Sequence, residues 1–212
     1  MGGRLKVGNQ TKQFNIKTTG SNVELLSSNS KVVEVVRQGS NTATGNKWKL
    51  KAKKAGTATI TVKVDNKTKK YEYTVKDTLT TDLSSKETLT AGEKPKEVGA
   101  ETTASKVKVS SSNSKIIDVD KKNGEWFLEP KKGGTTTITV EAGNTKKTYT
   151  YNVKDTLSTN LKTNEKLSEL KKVTIKTTAS KVKVLSSNSN VIKVDGKNSK
   201  WTLKPNKMEQ QP

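Results

Sequence analysis

Gly56-Thr57-Ala58-Thr59-Ile60-Thr61-Val62-Lys63-Val64 is the stretch whose pattern decides the fold. Ala58, Ile60, Val62 and Val64 fall on one side of an extended chain, and Thr59, Thr61 and Lys63 fall on the other. Successive side chains of a strand point to opposite faces, so this alternation marks a strand with one buried face. Its β-branched content fits a pleated, half-buried surface. Tyr71, Tyr73 and Val75 alternate in the same way, and Asp65-Asn66 supplies a turn between the two runs. The result is a hairpin with one wet and one dry face.

The hairpin recurs. Gly134-Thr135-Thr136-Thr137-Ile138-Thr139-Val140 repeats the first strand, and Tyr149, Tyr151 and Val153 repeat the second. Ser27-Ser28-Asn29-Ser30 returns as Ser111-Ser112-Asn113-Ser114 and as Ser186-Ser187-Asn188-Ser189, each followed by one tryptophan: Trp48, Trp126, Trp201. Thr102-Thr103-Ala104-Ser105-Lys106-Val107-Lys108-Val109 returns unchanged as Thr177-Thr178-Ala179-Ser180-Lys181-Val182-Lys183-Val184, and Val75-Lys76-Asp77-Thr78-Leu79 as Val153-Lys154-Asp155-Thr156-Leu157. Asn123-Gly124, Ala142-Gly143-Asn144 and Asp195-Gly196 add turn signals of the kind that favours tight hairpins. No stretch carries a helical period. Internal similarity of this kind identifies a repeat architecture, and short strands with regular turns read as sandwiches. The chain is therefore expected to be all-β: tandem immunoglobulin-like β-sandwich modules at residues 1–78, 79–156 and 157–212, the last one incomplete. The linker Val75-Lys76-Asp77-Thr78-Leu79 holds no Gly/Ser or Pro-rich spacer, so a semi-rigid rod is expected.

Composition pulls against a folded chain. Hydrophobic residues make up 29% and the formal net charge is +21, values that suit disorder. The period-two order of the apolar residues overrides that reading, because a thin two-layer sandwich needs only one buried face per strand. Trp48, Leu50 and Ala52 alternate with Lys49, Lys51 and Lys53, and Trp126, Leu128 and Pro130 share a face, as do Trp201, Leu203 and Pro205. The tryptophans Trp48, Trp126 and Trp201 are thus assigned to core packing rather than ligand stacking. The Ser-Ser-Asn-Ser runs are assigned to bends rather than to nucleophiles.

The order Leu5-Lys6-Val7-Gly8, a β run to Ile16, Ser27-Ser28-Asn29-Ser30, a glycine turn before Trp48 and then Ala55-Gly56-Thr57-Ala58-Thr59-Ile60-Thr61-Val62 resembles the bacterial immunoglobulin-like group 2 (BIG2) module. The second repeat keeps these marks as Leu89-Thr90-Ala91-Gly92, Ser111 to Ser114, and Gly133 through Val140. The resemblance covers nearly the whole chain. It implies non-catalytic modules that act as spacers, stalks and display units in surface adhesins, cell-wall and S-layer proteins and phage tail or capsid proteins. The tryptophan is a departure, since the family has a smaller apolar residue there.

The third repeat follows the second through Trp201-Thr202-Leu203-Lys204-Pro205 and then departs. The expected Gly-Thr-x-Thr-Ile-Thr-Val and Tyr-x-Tyr-x-Val strands do not follow, which leaves Val182, Val184, Ile192, Val194, Trp201 and Leu203 as a candidate open edge for a partner strand. A longer polypeptide, strand complementation by another chain and a reduced, self-sufficient sandwich are the three alternatives.

Cysteine and histidine are absent, which removes disulfides, thiolate metal sites and the commonest general base. Asp118 and Asp120 flank the inward Val119 and read as a solvated face, so no carboxylate pair suggests catalysis. Asp77 and Asp82 near the first joint suggest calcium only weakly. That ion needs six or more oxygens, and the matching joint has Asp155 but Asn160. No enzyme activity, cofactor or metal is expected. No run approaches the roughly 20 apolar residues of a membrane span, and residues 1–7 hold no secretory apolar region. The charge is almost all lysine, with Arg4 and Arg37 the arginines. Lysines on strand edges block sheet-to-sheet pairing, or they draw the chain to anionic surface polymers. Specific nucleic-acid reading is not expected, since it favours arginine and exposed aromatics. The expectation is a virion or extracellular-surface location. The first functional reading is an accessory (decoration, fibre or tail-associated) protein of a phage virion that contacts other protein chains. The alternative is a stalk or adhesion segment of a secreted bacterial surface or S-layer protein.

Overall fold

The computed structural model describes residues 3–8, 11–20, 22–38, 47–197 and 200–206. Among them there is no helix. The chain is all-β and consists of tandem immunoglobulin-like modules.

The first repeat contains β1 (Gly3–Lys6), β2 (Thr11–Asn15), β3 (Val23–Ser27), β4 (Val33–Gln38), β5 (Lys47–Ala52), β6 (Gly56–Val64) and β7 (Lys67–Lys76). They form two sheets, ordered β1-β7-β6-β3 and β2-β5-β4. Antiparallel register pairs Ile60 with Tyr71 and Ala58 with Tyr73, so the apolar faces of β6 and β7 coincide. In the second sheet Val35 opposes Leu50 and Val33 opposes Ala52. Leu5, Leu25, Val33, Trp48, Leu50, Ile60, Tyr73 and Val75 form one buried cluster. Each such side chain contributes about 1.5–3 kcal/mol of burial, which is how a chain with so few apolar residues folds. β1 runs parallel to β7, with Leu5 opposite Val75.

The second repeat contains β8 (Leu79–Thr81), β9 (Thr88–Thr90), β10 (Lys96–Val98), β11 (Ala100–Thr102), β12 (Val107–Ser111), β13 (Ile117–Lys122), β14 (Glu125–Pro130), β15 (Gly134–Ala142) and β16 (Thr145–Lys154). Its sheets are β12-β15-β16-β9, β10-β14-β13 and the small pair β11-β8. The third repeat contains β17 (Leu157–Thr159), β18 (Lys171–Val173), β19 (Ile175–Thr177), β20 (Ile192–Lys197) and β21 (Lys200–Pro205). It forms β17-β19 and β18-β21-β20, and no four-stranded sheet among the described residues.

By packing, the chain divides into two compact units. The first comprises Met1–Leu83, Val98–Ser110 and Ile138–Tyr149, and so holds the whole first repeat. The second comprises Ser84–Glu97, Ser111–Thr137 and Thr150–Pro212, and so holds the whole third repeat.

The Ser-Ser-Asn-Ser runs are bends. Val32 and Val33 donate their amides to the Asn29 carbonyl, Ile116 and Ile117 to that of Asn113, and Val191 and Ile192 to that of Asn188. The second serine also acts over a distance: Ser28 Oγ accepts the Thr59 amide at 2.8 Å and Ser112 Oγ the Thr137 amide at 2.9 Å. Asn123 (φ 53°) and Gly124 (φ 91°) make the tight turn read from the sequence. Asp195-Gly196 is a correction. It lies inside β20, where Gly196 opposes Trp201 and pairing continues to Lys197 opposite Lys200. Glycine is needed there for close approach, since a Cβ would stand 2.3 Å from the Lys200 carbonyl oxygen.

Candidate interaction sites

The two unchanged sequence blocks meet in space and build the same clamp twice. At the first joint, inside the first compact unit, the Asp77 carboxylate is buried and accepts the Thr103 hydroxyl at 3.1 Å and the Asn144 amide at 3.4 Å. The Thr78 amide donates to Thr103 Oγ1 at 3.0 Å, and the Thr102 hydroxyl donates to the Thr78 carbonyl at 2.6 Å. The turn between β15 and β16 closes the joint. Asn144 Oδ1 accepts the Asp77 amide at 2.9 Å, its Nδ2 donates to the Val75 carbonyl at 2.9 Å, and the Thr145 hydroxyl donates to the Asp77 carbonyl at 2.8 Å.

At the second joint, inside the second unit, the Thr178 hydroxyl donates to Asp155 Oδ1 at 2.8 Å and the Thr156 amide to Thr178 Oγ1 at 2.9 Å. The Gly133 amide donates to the same Asp155 oxygen at 2.8 Å. That amide first, and then the Thr178 hydroxyl, hold the exposed Asp155 carboxyl below its usual range. The linkers are thus hydrogen-bonded segments rather than free tethers. Among the described residues no group of three or more acidic side chains could hold a metal ion.

The tryptophans do not share one environment. Trp48 is buried and Arg37 lies over its ring at 5.3 Å from the centroid, whereas Trp126 and Trp201 are half-buried. Lys121 covers the Trp126 ring at 5.2 Å. In the third repeat Val182, Val184, Ile192 and Val194 are half-buried and Leu203 is buried. Residues 181–186 make no strand pairing, although the counterpart segment of the second repeat, which differs only in having Ser110 where this one has Leu185, contains β12 and pairs with β15. Val109 is 4% exposed, while its counterpart Val184 is only half-buried. Leu157, Leu161, Leu170, Leu185 and Val191 are exposed, so large apolar exposure gathers on this repeat. A cleft of about 500 Å³ opens there between Leu157, Leu161, Val173, Val182 and Val184.

A second cleft, of about 560 Å³, opens in the first repeat. Its walls include Ile16, Val62, Val64, Tyr71 and Tyr73, and Lys12, Lys17, Lys67 and Lys69 stand around it with no carboxylate among its lining. Lys12 Nζ lies 5.7 Å from the Tyr73 ring centroid. The matching lysines of the other repeats are paired, Lys96 with Glu87 and Lys171 with Glu165.

Asp118 and Asp120 stay at the surface, as their alternation with Val119 implies. Lys131 bonds Asp118 at 2.6 Å and Lys122 bonds Asp120 at 3.0 Å. Those bonds lower both carboxyls, and Asp118 in turn raises Lys131. Exposed pairs of this kind are solvated charges rather than an acid–base device.

No protein-family model and no curated protein matches the sequence. Among solved structures, domains 5–6 of the S-layer protein SbsC are 18% identical, with 72% of this chain and 92% of that one covered and a TM-score of 0.31. A C-terminal 282-residue fragment of intimin, solved with the intimin-binding domain of the translocated intimin receptor, is 21% identical over 71% of this chain and 60% of that one, TM-score 0.36. The I9–I11 tandem of titin is 12% identical over 98% of this chain and 88% of that one, TM-score 0.32.

The joint clamp escaped the sequence reading. Its signal was present, since Val-Lys-Asp-Thr-Leu and Thr-Thr-Ala-Ser are the blocks that recur without change. Nothing in their spacing says that they touch.

Proposed function

We propose that the chain is a non-enzymatic structural and display protein, an array of BIG2-like modules that carries tension along the polypeptide. The parallel pairing of an early strand with the last strand of each complete repeat carries this reading: β1 with β7, Leu5 opposite Val75, and β9, the strand after the short β8, with β16, Leu89 opposite Val153. Force applied at the two ends of such a module pulls the paired strands past each other. Every ladder bond is then loaded together, whereas an antiparallel terminal pair would open one bond at a time. The Asp77 and Asp155 clamps pass the load through hydrogen-bonded linkers.

A virion accessory part, in a decoration, fibre or tail position, is the first setting for such an array, with other protein chains as its contacts. The net charge of +21 supports a second setting, a stalk or adhesion segment at a bacterial surface whose lysines meet anionic wall polymers. Single-molecule pulling tests the mechanical reading. Repeats pulled through their ends should unfold at clearly higher force than the first repeat pulled through Gly56 and Val75, the open end of the β6–β7 hairpin, where the ladder peels one bond at a time. Equal forces in the two geometries would overturn it.

A further inference from the structure

Two equivalent sheets present opposite charge on their outward faces. The sheet β10-β14-β13 of the second repeat and the sheet β18-β21-β20 of the third share one strand order. At four inward positions they carry the same residues: Ile117 and Ile192, Val119 and Val194, Trp126 and Trp201, Leu128 and Leu203. The outward positions, which alternate with these, differ in sign. Glu97, Asp118, Glu125 and Glu129 of the second repeat correspond, place for place, to Lys172, Lys193, Lys200 and Lys204 of the third. All four lysines are exposed, as are Glu97 and Glu125. Asp120 and Lys122 recur with the same sign as Asp195 and Lys197 and leave the reversal unaltered.

Strand register sharpens the contrast. Asp118 stands directly opposite Glu129, and Lys193 directly opposite Lys204. Like charges facing each other on neighbouring strands are destabilising. Lys131 relieves the acidic rung in part, at 2.6 Å from Asp118 and 3.8 Å from Glu129. Glu97, Glu125 and the four lysines appear in no ion pair among the described residues. The outward side of the acidic sheet also holds the half-buried aromatic Phe127, opposite Asp120, where the basic sheet has the smaller Thr202, opposite Asp195. Both faces point away from the sandwich core, so their charge does not depend on what covers the inward side.

We propose that the acidic face of the second repeat docks on the basic face of the third repeat of a second copy of this chain. Opposed faces neutralise the like-charge rungs that each copy carries alone, and Phe127 meets a face whose matching position holds the small Thr202. Like faces repel, so a second repeat does not settle on a second repeat, nor a third on a third. A neighbouring copy is therefore shifted by one repeat or reversed. Because the two patches differ, the contact is heterologous and continues from copy to copy unless it closes on itself. The first repeat is a poorer basic partner. Its outward Lys47, Lys49 and Lys51 share their face with Glu34, which stands opposite Lys51 and pairs with Lys53 at 3.6 Å. The inference goes beyond the tension-bearing role, which one chain fulfils alone.

The faces are small, three short strands about 4.8 Å apart, so the contact belongs with weak, transient interfaces. Sedimentation equilibrium of the full chain, up to about 1 mM, reads it. At about 150 mM salt a Debye length of about 8 Å screens the long-range repulsion between net-positive copies and spares the facing charges, whereas about 1 M salt weakens both. Average mass that rises with concentration at the lower salt and falls back at the higher supports the proposal. Glu97→Lys with Glu125→Lys removes the acidity of one face, and Lys172→Glu with Lys200→Glu the positive charge of the other. Each double variant alone should associate at least tenfold more weakly than the parent. An equimolar mixture of the two keeps one intact acidic and one intact basic face, and it should recover a one-to-one complex, which also shows that both variants are folded. A parent whose mass does not change with concentration, or a mixture that stays monomeric, would overturn the proposal. Parent-like association of the Lys172→Glu, Lys200→Glu variant would move the contact to the lysines of the first repeat, and association that salt leaves unchanged would move it to apolar surface; either result also overturns it.

Discussion

The Thr103 hydroxyl reaches Asp77 Oδ1 at 3.1 Å, and the same bond recurs between Thr178 and Asp155 at 2.8 Å. The two clamps differ in cover, for Asp77 is 7% exposed and Asp155 stands at the surface. Removing a buried acceptor leaves its donors unpaired, at about 1–3 kcal/mol. Asp77→Ala should therefore destabilise the first joint by that amount and speed hydrogen exchange at the Thr78 and Asn144 amides. Asp155→Ala should leave stability closer to the parent. Equal losses in the two variants, measured by amide exchange, would contradict the ranking.

Acid should loosen the second clamp. The Asp155 carboxyl titrates below its usual 3.8, because the Gly133 amide and the Thr178 hydroxyl favour its charged form. A depressed folded-state value means that the clamp's contribution is fully present above about pH 3.8 and is lost as pH falls through the lower, folded-state value. Carboxyl carbon shifts of Asp155, followed from pH 6 to pH 2, should titrate below those of an unstructured aspartate. The Gly133 amide should lose its protection over the same window.

The alternation of Ala58, Ile60, Val62 and Val64 was enough to place strands, because a half-buried strand writes its two faces into the sequence. The bends at Asn29, Asn113 and Asn188 were legible for a similar reason, since their hydrogen bonds span only three or four residues. Asp195-Gly196 was misread as a turn because a glycine of positive φ also serves inside a strand: Gly196 has φ 146° and lies too close to the Lys200 carbonyl oxygen for a Cβ, yet it stays in the β20–β21 ladder. The Asp77 clamp and the Ser28 latch on Thr59 join residues 26 and 31 positions apart, so no local pattern announces them. The first-repeat cleft becomes visible only when one repeat is laid against another and Val62 is found less covered than Val140.

Two turn glycines separate backbone strain from steric conflict. Gly124 has φ 91° and open space where a Cβ would go. Gly143 has φ 55°, and a Cβ there would stand 2.0 Å from Asp77 Oδ2. Gly124→Ala should cost about 1 kcal/mol, the strain alone. Gly143→Ala should cost roughly 1–3 kcal/mol more, because it displaces the carboxylate that the joint depends on. Urea unfolding of both variants checks this, and the Thr78 amide should lose protection only in Gly143→Ala.

Leu79 and Leu157 occupy the same place in the recurring Val-Lys-Asp-Thr-Leu block, yet Leu79 is 6% exposed and Leu157 is 71% exposed. Burial depends on the sheet that faces the residue, not on the motif that carries it. Leu79→Ala removes a packed side chain and leaves a cavity, which should cost about 2–5 kcal/mol. Leu157→Ala removes a side chain that water already surrounds and should change stability by less than about 0.5 kcal/mol. Because several modules need not unfold as one transition, amide exchange within β11 and β19 reports each site separately. A large loss in Leu157→Ala would mean that Leu157 is covered in solution, by an added strand or by another chain. The candidate edge at Val182 and Val184 would then be occupied, and the same variant would expose whichever segment occupies it.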